Sequence, residues 1–193
     1  MEILEIHGRQ PDTRAISAVT DALRSGGIAI IPTDTLYGLV CDGLNTKAIE
    51  KLCRIKGLTE KHLLSIICND FKQAAHYARI DNRAFMIMRE SLPGPITYVL
   101  PSSNTLPKAF KGRKTVGIRI PDNDFARAIA EELDGPVMCT SVECEEPGNP
   151  DSVEWSYESN EDVAVLIKSE ELSGVPSMII DLQDSSNPEI IRQ

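Results

Sequence analysis

At 193 residues, with 41% hydrophobic and 25% charged side chains, the chain has the make-up of a globular domain able to bury a core without disulfide or metal staples. A formal net charge of −9 argues against a protein that coats nucleic acid, and no run approaches the ~20 apolar residues of a membrane-spanning helix. The acidic opening Met1–Ile6 lacks the basic and apolar regions of a secretory signal, so a cytoplasmic location without membrane partners is expected.

Ile16, Val19, Ala22 and Leu23 recur at helical spacing and predict a helix over Thr13 to Arg24, ended by Gly26-Gly27. Ile28 to Pro32 reads as a core strand that empties into Thr33-Asp34-Thr35-Leu36-Tyr37-Gly38, a cluster of hydroxyls, a carboxylate and a glycine. Ligands of open α/β sheets bind beyond such strand ends, which makes this exit the first candidate site. Asn45 caps a predicted helix over Thr46 to Ile55. Leu63 to Cys68 reads as a strand, Asp70 to Ala78 and Asn82 to Ser91 as helices, the second stopped by Pro93-Gly94-Pro95. Ile96 to Leu100 and Thr115 to Ile120 are predicted strands. An amphipathic helix follows over Asp122 to Leu133, with Phe125, Ala126, Ile129 and Ala130 on its buried face. Val137 to Thr140, Val163 to Ile167 and Ser177 to Leu182 complete the strands, with Trp155 and Tyr157 on an acidic helix or loop between them. Alternation of helix and strand implies an α/β fold on a mixed or mostly parallel sheet.

Charge is unevenly spread. Glu143 to Glu171 holds ten acids and one base, whereas Lys108 to Arg119 holds five bases and no acid, and Lys47 to Lys61 five bases against two acids. Two basic segments in an acidic chain suggest a local anion site. The five cysteines (Cys41, Cys53, Cys68, Cys139, Cys144) are odd in number and lack CxxC spacing, so they read as reduced side chains. His7, His62 and His76 have no metal-ligand spacing, although His62 lies near Lys56 and could touch a phosphate.

Pro32-Thr33-Asp34-Thr35-Leu36-Tyr37-Gly38-Leu39, Arg54-Ile55-Lys56-Gly57, Pro93-Gly94-Pro95-Ile96-Thr97-Tyr98-Val99-Leu100, Thr115-Val116-Gly117-Ile118-Arg119-Ile120-Pro121 and Thr140-Ser141 together resemble, in this order, the YrdC/YciO family. The resemblance runs from about Arg14 to Arg192. It implies one YrdC-like domain over residues 1–193, a twisted mixed sheet flanked by helices with a large concave nucleotide-binding cavity. The family's threonylcarbamoyl-AMP synthases convert threonine, bicarbonate and ATP to threonylcarbamoyl-adenylate. A partner enzyme then uses that product for N6-threonylcarbamoyladenosine modification of tRNA. Double-stranded RNA binding is also associated with the family.

The resemblance implies a contact from Thr35 to the amino acid, with Arg119 gripping its carboxylate, and puts Thr33 and Glu143 among the substrate- or nucleotide-binding residues. Thr115 would bond the nucleotide, Ser141 would sit between the ligands, Ser177 near the amino acid, and Arg192 over the phosphates or base. Charge gathers on the triphosphate in such a transfer, so Lys56, Arg119 and Mg²⁺ brought with ATP are the expected stabilising cations.

Two departures bear on the chemistry. The synthases' Lys-x-Arg aligns with Lys56-Gly57-Leu58, and their Ser-x-Asn with Ser141-Val142-Glu143. A lost cation and a gained anion each oppose triphosphate binding by about 1–3 kcal/mol. A proline is replaced by Thr59 and a histidine by Ile67, as in the YciO-type branch. Three readings follow. One is a synthase, one a nucleotide- or duplex-RNA-binding YciO-type protein of weak or no synthase activity, and one an enzyme of another substrate using Glu143 as general base or metal ligand.

Overall fold

The computed structural model describes residues 1–7, 11–58, 64–106 and 112–193. In chain order its elements are β1 (Glu2–Glu5), α1 (Thr13–Arg24), β2 (Ile28–Ile31), β3 (Gly38–Asp42), α2 (Thr46–Ile55), β4 (Ser65–Ile67), α3 (Phe71–Tyr77), α4 (Asn82–Arg89), β5 (Ile96–Pro101), β6 (Thr115–Arg119), α5 (Asp124–Leu133), β7 (Val137–Ser141), α6 (Pro150–Tyr157), β8 (Val163–Lys168), β9 (Met178–Asp181) and β10 (Glu189–Arg192). Every helix starts on a side chain that accepts backbone N–H groups of its first turn: Asp12, Asn45, Asp70, Asp81, Asn123 and Asn149. Those donors have no partner within a helix, so each cap is worth about 1 kcal/mol.

The strands form one ten-stranded mixed sheet in the order β1-β8-β2-β3-β7-β4-β6-β5-β9-β10. Side-chain alternation divides its residues between two apolar layers. On one face α2, α3, α4 and α6 bury Leu52, Tyr77, Met88 and Val153 against Ile30, Leu39, Ile66, Tyr98 and Ile118. Each fully buried side chain of this size contributes roughly 1.5–3 kcal/mol. On the other face α1 and α5 pack Val19, Leu23, Phe125 and Ile129 against Ala29, Ile31, Val40, Val137, Ile67 and Val165. These two helices contact β2, β3, β4, β7 and β8. Their apolar layer includes no residue of β6, β5, β9 or β10, and the side chains of that remaining half face a hollow.

Predicted and observed bounds coincide for α1 and α2 and differ by at most two residues elsewhere. The helix expected from Asp122 starts at Asp124, because Asn123 takes the cap and the Asp122 N–H bonds Asp34. Leu63 and His62 lie outside the described residues. β1, β3, β10 and the helical form of α6 add to the elements taken from the sequence. β1 is an exposed edge of charged and apolar residues, β3 follows the turn motif directly, and α6 resolves the segment of Trp155 and Tyr157 as a helix capped by Asn149 with Pro150 in its first turn. Among the described residues no helix is long and apolar enough to cross a membrane.

Candidate functional site

Strand register brings distant residues into rows on the uncovered face. Arg119 pairs with Thr97, Thr97 with Ile179, and Ile179 with Arg192. One step along, Cys139 pairs with Ser65, Ser65 with Gly117, and Gly117 with Val99. These two rows floor a cavity of about 190 Å³, walled by Thr33 and Thr35, by Ser141, and by Pro176 and Ser177. Small-molecule pockets generally run to ~300–1,000 Å³, so this one has room for an amino acid while a whole nucleotide would extend out of it. Gly117 leaves the centre of the floor at backbone level, where a Cβ would stand 3.4 Å from Thr97 Cγ2 and 3.5 Å from Ser65.

Arg119 is the buried charge of the site. Its Nη2 donates to Asp34 Oδ1 at 2.5 Å, to Thr35 Oγ1 at 2.6 Å and to Thr33 Oγ1 at 3.3 Å. The Thr33 hydroxyl in turn donates to the Leu36 carbonyl at 2.7 Å and accepts the Thr35 N–H, which folds the β2–β3 turn around the guanidinium. Arg119 Nε is buried and has no hydrogen-bond partner. An unsatisfied donor on a buried cation is costly, and it marks a place where an acceptor group of a ligand would be stabilised.

Opposite Arg119, Ser177 is buried with its hydroxyl 3.4 Å from Thr97 Oγ1. Arg192 does not reach outward. Its Nη2 and Nε donate to the Ser177 carbonyl at 2.7 and 3.2 Å, clamping β10 over the cavity rim. The segment after β8 closes the same end, with the Gly174 N–H and the Ser173 hydroxyl both donating to the Thr35 carbonyl.

Of the residues singled out in the sequence, Thr33, Thr35, Arg119, Ser141, Ser177 and Arg192 line this one cavity. Thr115 does not; it starts β6, on the face of Gly117 and Arg119 but beyond the lining. Lys56 and Glu143 also lie outside it and pair with each other. Lys56 caps the C-terminus of α2 with its side chain only 7% exposed, and Nζ is 3.3 Å from Glu143 Oε1, whose side chain is 74% exposed. The Tyr157 hydroxyl accepts the Glu143 N–H at 2.9 Å and holds that turn. Sequence reasoning overlooked Asp34 and Thr97. Asp34 stands inside the quoted turn motif between two selected threonines, so its position was the available signal.

No group of three His, Cys, Asp or Glu side chains that could hold a metal ion occurs among the described residues. Both oxygens of Asp34 are engaged, by Arg119 and by the Asp122 N–H. Glu143 is a single carboxylate already paired with Lys56, so the described residues fit no resident Mg²⁺ ion here. The five cysteines form no disulfide, and burial pushes the Cys139 thiol on the cavity floor up to about 11. Lys61, Lys108 and Lys111, three of the ten basic residues that suggested an anion site, lie outside the described residues.

A profile of the Sua5/YciO/YrdC family, described as telomere recombination, matches residues 21–193. The chain is 32% identical to YciO of Escherichia coli over 97% of its own length and 93% of that protein. The crystal structure of E. coli YciO superposes with a TM-score of 0.90 at 30% identity, covering 100% of this chain and 96% of that one. P. abyssi Sua5, crystallised with L-threonine, superposes with a TM-score of 0.87 at 26% identity, over 100% of this chain and 57% of that one. Human threonylcarbamoyl-AMP synthase is 34% identical over 67% of this chain and 47% of its own length.

Proposed function

The chain belongs to the Sua5/YciO/YrdC family, and on that premise we propose that it is a threonylcarbamoyl-AMP synthase-like protein. In this reading the 190 Å³ cavity takes a small amino acid such as threonine, and a nucleotide lies across its mouth towards Thr115 and Lys56. The observation that carries the reading is the buried Arg119 with its unpartnered Nε in a cavity walled by hydroxyls. A guanidinium in that setting suits a carboxylate, which the free Nε–H would meet in a charge-assisted hydrogen bond. Similarity to Sua5, which was crystallised with L-threonine, supports the same ligand class.

The chemistry would join threonine, bicarbonate and ATP as threonylcarbamoyl-adenylate. Water would be released as the amine takes up bicarbonate as a carbamate, and pyrophosphate as the carbamate oxygen attacks the α-phosphorus. Arg119 and the hydroxyls of Thr35, Ser141 and Ser177 would orient the carbamate, and Lys56 would meet the phosphates. Mg²⁺ bound to the phosphates of ATP would supply further charge neutralisation. The product would pass to a tRNA-modifying partner enzyme. Incubation with ATP, bicarbonate and threonine tests the reading, and pyrophosphate release dependent on all three is expected.

The Lys56–Glu143 ion pair favours a second reading, in which the protein binds nucleotide or duplex RNA with weak or no synthase activity. Absence of threonine-dependent pyrophosphate, with duplex RNA binding that weakens steeply with salt, would select it.

A further inference from the structure

We propose that Asp34 is a positioning residue for Arg119, holding the guanidinium so that Nε is presented to the carboxylate of the bound amino acid; this rests on the amino-acid reading of the cavity. Asp34 and Arg119 side chains are each 9% exposed and meet at 2.5 Å. The two oxygens of Asp34 do different jobs. Oδ1 accepts from Arg119 Nη2, and Oδ2 accepts the Asp122 N–H at 3.1 Å, in the turn that leads into α5. The carboxylate therefore bridges the β2–β3 turn to the β6–α5 turn, two segments 88 residues apart in sequence. Thr33 and Thr35 receive the same Nη2, so three acceptors crowd one nitrogen while Nε has none. Rotation of the planar group would abandon all three acceptors, and the orientation of its free donor is thereby set.

A simple counter-ion would act in the opposite sense. Asp34 would then compete with the ligand carboxylate for Arg119, and removing its charge would tighten binding. The sign of the effect separates the two roles.

The test is equilibrium binding of L-threonine and of L-threonine methyl ester, which lacks the carboxylate, to the wild type, Asp34→Asn and Asp34→Ala. Positioning predicts that threonine binds about tenfold or more weakly to Asp34→Ala, the loss expected for a charged hydrogen bond, while the ester changes little. Asp34→Asn, which keeps one acceptor oxygen for Nη2, should recover part of the loss. Equal weakening of both ligands would reduce Asp34 to a fold-stabilising residue, and tighter threonine binding to either variant would make it a competitor; both overturn the inference. A wild type that binds no threonine removes the amino-acid reading instead. The positioning claim is then decided by the Arg119 Nε–H resonance in NMR, expected to be sharp and slowly exchanging in the wild type and averaged in Asp34→Ala. An unchanged resonance rejects it.

Discussion

Glu143 Oε1 lies 3.3 Å from Lys56 Nζ, so the carboxylate that stands where the synthases carry asparagine neutralises the lysine nearest the proposed phosphate path. The pair is asymmetric, a buried ammonium held by an exposed and displaceable carboxylate. Glu143→Asn should raise affinity for a nucleoside triphosphate about tenfold, within the 1–3 kcal/mol of a charged hydrogen bond. Adding Leu58→Arg should raise pyrophosphate release further. Stability should fall modestly, because the substitution leaves the largely buried Lys56 ammonium without its counter-ion. Nucleotide titration and urea unfolding of the two variants check both statements, and unchanged affinity would place the phosphates elsewhere.

Arg119→Ala should destabilise the fold by about 3 kcal/mol, because it strands Asp34 in a buried position without its counter-ion. Arg119→Lys keeps a charge but not the planar fork. It should retain most of the stability while binding threonine at least about tenfold more weakly. Chemical denaturation and calorimetric titration separate the two effects.

Two glycines should respond oppositely to the same added methyl group. At Gly38 a Cβ would sit 2.8 Å from the buried Cys139 Sγ, so Gly38→Ala should cost about 1–3 kcal/mol through overpacking. At Gly117 the nearest atoms are at ordinary contact distance, 3.4–3.5 Å. Gly117→Ala should therefore fold with near-native stability and lose ligand affinity, because the methyl occupies the cavity floor. Melting temperature against threonine binding distinguishes the positions.

Alkaline pH should destabilise the protein. Burial pushes the Cys139 thiol up to about 11 and the Tyr77 hydroxyl up to about 12, and it raises Cys41 and Cys68 further. An unfolded thiol loses its proton near pH ~8.5, so above that value the unfolded chain binds fewer protons than the folded one. The stability these thiols contribute is complete below that pH and falls as pH rises through the folded values. Urea midpoints across alkaline pH measure the slope, and Cys139→Ala should make it shallower. The partly exposed Cys144 should react first with a thiol reagent in the native state.

Local signals carried much of the architecture. Apolar spacing marked α1 and α2, and the cap Asn45 marked the start of α2, because capping and amphipathic burial are decided within a few residues. β3 was not distinguished from the turn before it, since five residues in β3 give too short an alternation to separate strand from loop. Ser177 and Arg192 could be named from resemblance, but not that Arg192 would spend its guanidinium on the Ser177 carbonyl.

What the sequence determined by itself was the family pattern, the alternation of helix and strand, and the concentration of hydroxyl and basic residues at strand ends. Only the tertiary structure decided that Arg119 is held by Asp34, 85 residues away, and that Lys56 is held by Glu143. Those pairings depend on strand order and register, which couple segments with no local signature of each other. They also depend on α1 and α5 covering one half of a sheet face and leaving the other half open.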